Sequence, residues 1–118
     1  MKKILLAEDS TAIRNILKTA LFEEYEILEA ENGKAAYELA IKNQVNMFLL
    51  DLNMPVMDGI ELLKALRKLP QYEKTPMIML TTEVRDEKRQ EGKAAGANGW
   101  ITKPCDPDKL LHVIKKLI

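Results

Sequence analysis

Three acidic residues and one lysine close separate apolar runs in this 118-residue chain. Glu8 and Asp9 follow Ile4-Leu5-Leu6-Ala7, Asp51 follows Met47-Phe48-Leu49-Leu50, and Lys103 follows Trp100-Ile101-Thr102. If those runs are parallel strands of one sheet, the four groups meet at a single edge. Carboxylates crowded in this way are driven toward protonation unless a cation sits among them. Mg²⁺ fits best, because it is a hard ion usually held by one or two protein carboxylates together with phosphate oxygens. An acidic metal site beside a lysine points to phosphoryl chemistry. A carboxylate can accept a phosphoryl group directly as an acyl phosphate, and that transfer asks mainly for alignment and neutralisation of oxygen charge. Mg²⁺ and Lys103 would supply the charge, and the Thr81 hydroxyl would hydrogen-bond a transferred oxygen.

The elements that must position these groups can be read from hydrophobic period. Apolar runs alternate with helical segments along the whole chain, five of each, which is the pattern of an α/β domain with a parallel sheet. The predicted strands are Lys3–Ala7, Glu26–Glu29, Met47–Asp51, Met77–Thr81 and Gly99–Thr102. The first, third and fourth are apolar enough to be covered on both faces, whereas charge around Ile27-Leu28 marks an edge. A first helix presents Ile13, Ile16, Leu17, Ala20 and Leu21 behind a Ser10 cap. A second runs from about Gly33 to Lys42 and buries Ala36, Leu39 and Ala40. A third carries Ile60, Leu63 and Leu66 behind Asp58. The last opens at Asp106-Pro107 and buries Leu110, Leu111, Ile114 and Leu117. The fourth, Val84 to Lys93, has Val84 as its only aliphatic residue and carries Gly92 at a cost of about 1 kcal/mol relative to alanine. It reads either as a solvated helix steadied by charge pairs or as an element of low local stability that shifts between two positions.

Composition narrows the function further. Eighteen basic and eighteen acidic side chains cancel, so no long-range field draws the chain to nucleic acid or an anionic membrane. Cys105 is the only cysteine, which excludes an intramolecular disulfide and fits a reducing compartment. The apolar stretch after Met1-Lys2-Lys3 ends at Glu8, short of the roughly 7–15 residues of a secretory core, and no run approaches the ~20 of a membrane span. The expectation is one soluble, cytoplasmic domain over residues 1–118, with no repeat or linker.

The set Glu8-Asp9, then Asp51-Leu52-Asn53-Met54-Pro55-Val56-Met57-Asp58-Gly59, then Thr81, then Lys103-Pro104, resembles the receiver domain of two-component response regulators. The free-standing chemotaxis type is the most similar, and the resemblance spans the whole chain. It implies a doubly wound, flavodoxin-like (βα)5 fold of strand order 2-1-3-4-5 with helices on both faces. It also implies that Asp51 is the phosphoacceptor, that Asp9 and Asp51 bind Mg²⁺ directly, that Glu8 acts through a metal-bound water, and that the Asn53 carbonyl completes the site. Thr81 would bind the phosphoryl group, Lys103 would pair with it, and Pro104 matches a cis peptide position. Asn53 and Glu83 lie where the family tunes acyl-phosphate lifetime. Trp100 stands where receivers usually carry the tyrosine or phenylalanine that swings inward with the threonine. The implied partners are a histidine kinase as donor and a protein target bound through the face of the fourth helix, fifth strand and fifth helix. The implied state is a monomer, a signalling protein and not an enzyme acting on an external substrate.

Plainer readings stand beside these. Asp58 reads as a helix cap, Thr82 as a strand-end hydroxyl, Cys105 as filler with nothing near to activate it, and His112 as a solvent-facing residue of the last helix. A receiver cut from a longer regulator or hybrid kinase is the rival within the class, disfavoured by the Met1 start and the end at a helix. A flavin mononucleotide protein would want a phosphate-cradling loop rich in Ser, Thr and Gly where Glu8-Asp9 stand. An aspartyl-phosphate phosphatase would want an aspartate at Asn53.

Overall fold

In the computed structural model, which describes residues 1–118, each apolar run pairs as a strand because both of its faces meet an apolar layer. The strands are β1 (Lys3–Ala7), β2 (Glu26–Ala30), β3 (Met47–Leu50), β4 (Met77–Thr81) and β5 (Gly99–Thr102). All pairs are parallel and the order is β2-β1-β3-β4-β5, the doubly wound flavodoxin-like arrangement. Between them run α1 (Thr11–Leu21), α2 (Gly33–Lys42), α3 (Gly59–Arg67), α4 (Asp86–Ala95) and α5 (Pro107–Leu117).

The strand period of two divides the core. Leu5, Ala7, Phe48, Leu50, Met77 and Met79 pack with Ala36 and Ala40 of α2 and Ile60, Leu63 and Leu66 of α3. Ile4, Leu6, Met47, Leu49, Ile78 and Leu80 pack with Leu17 and Leu21 of α1 and Leu110 and Ile114 of α5. Each of the Leu, Ile, Met and Phe side chains among them stabilises the fold by about 1.5–3 kcal/mol when fully buried. That secures α1, α3 and α5. In contrast α4 buries only Gly92, which has no side chain, so it is the least anchored helix. Caps reinforce the others: the Ser10 hydroxyl accepts from the Ile13 N–H at 3.2 Å, and Asp58 forms a reciprocal capping box with Glu61. Each cap contributes about 1 kcal/mol.

Several boundaries differ from the sequence expectation. The fourth helix starts at Asp86 and ends at Ala95, two residues later at each end than the predicted Val84 to Lys93. The Glu83 carboxylate accepts from the Val84 and Arg85 N–H groups at 3.1 and 3.4 Å, holding them in a turn. At the other end Gly96 takes a left-handed φ of 113° and lets the helix run to Ala95. Strand β2 gains Ala30, which pairs with Ala7, and β3 stops at Leu50, so Asp51 begins the loop. Ile16 and Leu117, expected inside, are 57% and 39% exposed. The buried stripe of α1 narrows to Leu17 and Leu21, and Leu117 lies in the final turn of α5. A short 3-10 turn, Pro70–Tyr72, was not foreseen.

Candidate functional site

In this strand order α1 and α3 leave the neighbouring strands β1 and β3 toward opposite faces, opening a crevice at their carboxyl ends. Ala7 pairs with Leu50, so the next residues, Glu8 and Asp51, stand opposite each other. Both backbones are fixed there: Glu8 N–H donates to Ala30 C=O at 3.0 Å and Asp51 N–H to Ala7 C=O at 2.9 Å. One carboxylate oxygen from each of Glu8, Asp9 and Asp51 falls within a cluster spanning no more than 4.8 Å. Glu8 and Asp51 are buried, and Asp9 faces solvent.

Lys103 enters from the far side of β4. Its N–H donates to Thr81 C=O at 2.8 Å, and the Lys103–Pro104 peptide is cis. Its ammonium pairs with the Glu8 carboxylate and lies 3.3 Å from Asp51 Oδ2, with the side chain 11% exposed. Burial, helped by the nearby Asp51 charge, raises the pKa of Glu8 above the usual carboxylate range, although the Lys103 and Ser10 hydrogen bonds oppose this. Three carboxyl groups face a single ammonium, an excess of acidic oxygens that a divalent cation would balance. Oxygen donors alone make up that cluster, so it suits a hard ion such as Mg²⁺. The same carboxylates repel a flavin phosphate, which would need N–H donors here.

The remaining predicted residues ring this centre. Thr81 is fully buried at the end of β4, and its Oγ1 accepts from the Glu83 N–H at 3.2 Å. Asn53 is exposed in the loop that follows Asp51. Glu83 turns its carboxylate away to Arg85, with Nε at 2.9 Å, and this pairing lowers its pKa. Trp100 lies on the opposite face of the sheet from α1, half-buried with the α3 side of the core, and its indole N–H donates to Glu83 C=O at 3.1 Å. Thr82 is exposed, His112 is exposed on α5, and burial pushes the Cys105 thiol up, away from the reactive thiolate.

Two supporting residues had no role assigned from the sequence: Gly59, which ends the motif quoted there, and Arg14. Gly59 opens α3 so close to the loop that a Cβ there would stand 2.2 Å from the Asp51 carbonyl oxygen, and its N–H bonds Leu52 C=O at 2.9 Å. No side chain fits. Arg14 donates to the Glu8 carbonyl at 2.6 Å and reaches Glu29 at 3.5 Å, tying the acidic loop to α1 and β2. Gly59 stood in the resemblance motif and just before an apolar helical stripe, but neither signal gives the close approach to Asp51. Nothing announced the second, because its acceptor is a backbone oxygen. Within the same loop Val56 adopts φ = 73°, a left-handed conformation that is costly for a β-branched residue.

Comparison with known proteins agrees with this geometry. The sequence profile of the response regulator receiver domain matches residues 4–115. The chemotaxis protein CheY4 of Vibrio cholerae superposes with a TM-score of 0.95 at 43% identity, over 100% of this chain and 99% of that one. A CheY-like receiver domain protein from Methanospirillum hungatei gives 0.92 at 34% identity, over 98% and 92%. Among curated proteins, the transcriptional regulatory protein SrrA of Staphylococcus aureus is 42% identical over 117 residues, 98% of this chain. That alignment covers 47% of SrrA, so the chain spans about half the length of the curated relatives it matches.

Proposed function

The chain belongs to the response regulator receiver family, with CheY-like structures among its neighbours, and from that premise we propose that Asp51 accepts a phosphoryl group from a phosphohistidine of a histidine kinase. The observation that carries this reading is the position of the Asp51 carboxylate, opposite Glu8 at the crevice and 3.3 Å from Lys103. In the transfer an Asp51 carboxylate oxygen attacks phosphorus, the P–N bond to the donor histidine breaks, and the imidazole takes up a proton. Lys103 would then draw one phosphoryl oxygen and the Thr81 hydroxyl another, so both report that Asp51 is occupied.

Asp9 and Asp51 would hold Mg²⁺ directly, Glu8 through a water and Asn53 through its carbonyl. The ion, when bound, neutralises charge on the transferring oxygens. Attack by water on the acyl phosphate would reset the protein, at a rate tuned by the side chains of Asn53 and Glu83. This is self-phosphorylation and self-dephosphorylation, not turnover of an external substrate.

Residues 1–118 would act as one receiver unit, monomeric, in the cytoplasm, with no direct nucleic-acid role given its zero net charge. Output would run through the surface of α4, β5 and α5 to a protein target. The CheY4 match, at 43% identity, favours a chemotaxis-type receiver. The SrrA match favours a receiver that works within a longer transcriptional regulator. Capture of a motility or a transcription component by the beryllium-fluoride-loaded chain alone separates the two.

Incubation with Mg²⁺ and a small phosphodonor should add one phosphoryl group, labile to hydroxylamine, seen by intact-protein mass spectrometry. Asp51→Asn should abolish it. Persistent full labelling of that variant overturns the assignment.

A further inference from the structure

Arg67 closes α3 with a side chain that finds no acid. Its six hydrogen bonds all end on neutral oxygens. Nη1 reaches the carbonyls of Tyr72, Glu73 and Thr75 at 2.8, 3.2 and 2.7 Å, while Nε and Nη2 reach Gly96 C=O at 3.2 and 2.7 Å. Nη2 also meets Asn98 Oδ1 at 2.8 Å. Partial burial lowers the guanidinium pKa, yet the group stays charged, because arginine in proteins does not deprotonate.

Its partners form the far end of α4. Gly96 holds φ at 113°, and a Cβ there would come within 2.9 Å of Arg67 Nε, so the residue meets both a conformational and a steric demand. Ala97 N–H folds back to Gly92 C=O at 3.0 Å, completing the C-terminal cap. Asn98 then locks onto β4, its N–H to Met77 C=O at 2.7 Å and its Oδ1 accepting from Met77 N–H at 2.9 Å. One guanidinium thus ties together the end of α3, the 3-10 turn, the start of β4 and the end of α4.

The near end of α4 has no such anchor. Its N-cap, Arg85, makes no side-chain cap bond, and Asp86, Glu87, Arg89, Gln90 and Glu91 are exposed. Two single bonds to β5 hold it: Trp100 Nε1 to Glu83 C=O at 3.1 Å and Arg89 Nη2 to Thr102 Oγ1 at 3.2 Å.

We infer that Arg67 is a positioning residue that makes α4 a lever, hinged at Gly96 and free at its N-terminal turn. Ten residues give the helix a length of about 15 Å, so a tilt of about 15° about the hinge would carry Asp86 some 4 Å and leave Asn98 in place. The signalling part of this inference rests on the receiver reading above. The hinge itself does not.

Amide hydrogen exchange on the full chain decides it. Without any phosphoryl mimic, the amides of Lys88–Gln90 should exchange at least tenfold faster than those of Gly96–Asn98. Arg67→Gln should erase that gradient by raising exchange at Gly96–Asn98 tenfold or more. Arg67→Lys should do the same, since an ammonium keeps the charge but not the fork. Should both variants fold poorly, Asn98→Ala removes one arm of the clamp and should flatten the gradient part way. With Mg²⁺ and beryllium fluoride, wild type should change at Val84–Gln90 and not at Gly96–Asn98, whereas the Arg67 variants should change along the whole helix. Equal exchange at both ends of the wild-type helix, or variants that keep the gradient, overturns the hinge. If beryllium fluoride alters no amide anywhere, the receiver reading fails, and the gradient without the mimic still decides the hinge.

Discussion

The indole ring of Trp100 lies against the backbone of Gly92, with Cζ3 3.0 Å from where a Cβ on residue 92 would sit. Gly92 is therefore the space that lets a tryptophan lie beneath α4. Gly92→Ala gains about 1 kcal/mol of helix propensity but crowds the ring, which costs a similar amount when a neighbour must give. The expected outcome is a stability change within about 1 kcal/mol of zero, with tryptophan emission shifted to the red as the indole moves outward. Unchanged emission in a folded variant would show that the ring does not depend on this contact.

Lys103 is shared between Glu8 and Asp51, so its removal leaves two buried carboxylates without their cation. Lys103→Ala should lose about 3 kcal/mol of stability in EDTA, the low end for orphaning a buried charge. Mg²⁺ should restore more stability to this variant than to wild type. Phosphoryl uptake should persist while the tryptophan response to beryllium fluoride is lost. Equal melting of both proteins in EDTA would show that the ion pair contributes nothing.

The left-handed Val56 is exposed to 76%, so no packing compensates its backbone. Val56→Asn should stabilise by about 1 kcal/mol, the usual gain from relieving a β-branched residue at positive φ. Urea unfolding with an unchanged m-value tests this, and a loss of stability would count against the backbone argument.

Tyr72 is fully buried, its ring edge-on to Phe48 at 4.9 Å and its hydroxyl 2.6 Å from both the Ala40 and Asn43 carbonyls. Burial raises its pKa above the unfolded value of about 10. Below that value both states keep the proton and the contribution is intact. As pH rises through the window between the unfolded and the higher folded pKa, the unfolded chain binds fewer protons and stability falls. Unfolding free energy should therefore decline above about pH 10, and Tyr72→Phe should flatten this slope while costing about 1–3 kcal/mol at neutral pH for the orphaned carbonyls. An unaltered alkaline slope in the variant would assign the effect to other groups.

The alternation of apolar runs with helical stripes was legible because burial on two faces imposes it residue by residue. The opposition of Glu8 and Asp51 was not legible from periodicity alone. It needs β3 beside β1, and the strand order came from family resemblance. Arg67, Tyr72 and Arg14 stayed hidden for one reason: most of their acceptors are backbone carbonyls, which leave no side-chain pattern. The two-residue shift of α4 has a similar origin, since a glutamate that caps its own loop reads the same as one that faces water. Gly92 read as a helix defect because its partner, Trp100, lies on a strand eight residues away.

Glu8 and Asp51 are each the first residue past a strand, and their side chains oppose each other only while the two strands keep their count. One residue added inside β1 or β3 would slide the carboxylate by about 3.3 Å and turn it to the other face. Substitution within these strands changes packing, but a change of length removes the site altogether. The turn between α1 and β2, where Phe22, Glu23 and Glu24 are exposed, carries no such count. Insertion there costs the slowly growing entropy of a longer loop and at most the exposed Glu24–Lys115 ion pair, which makes it the natural point to graft a tag or a reporter onto this protein.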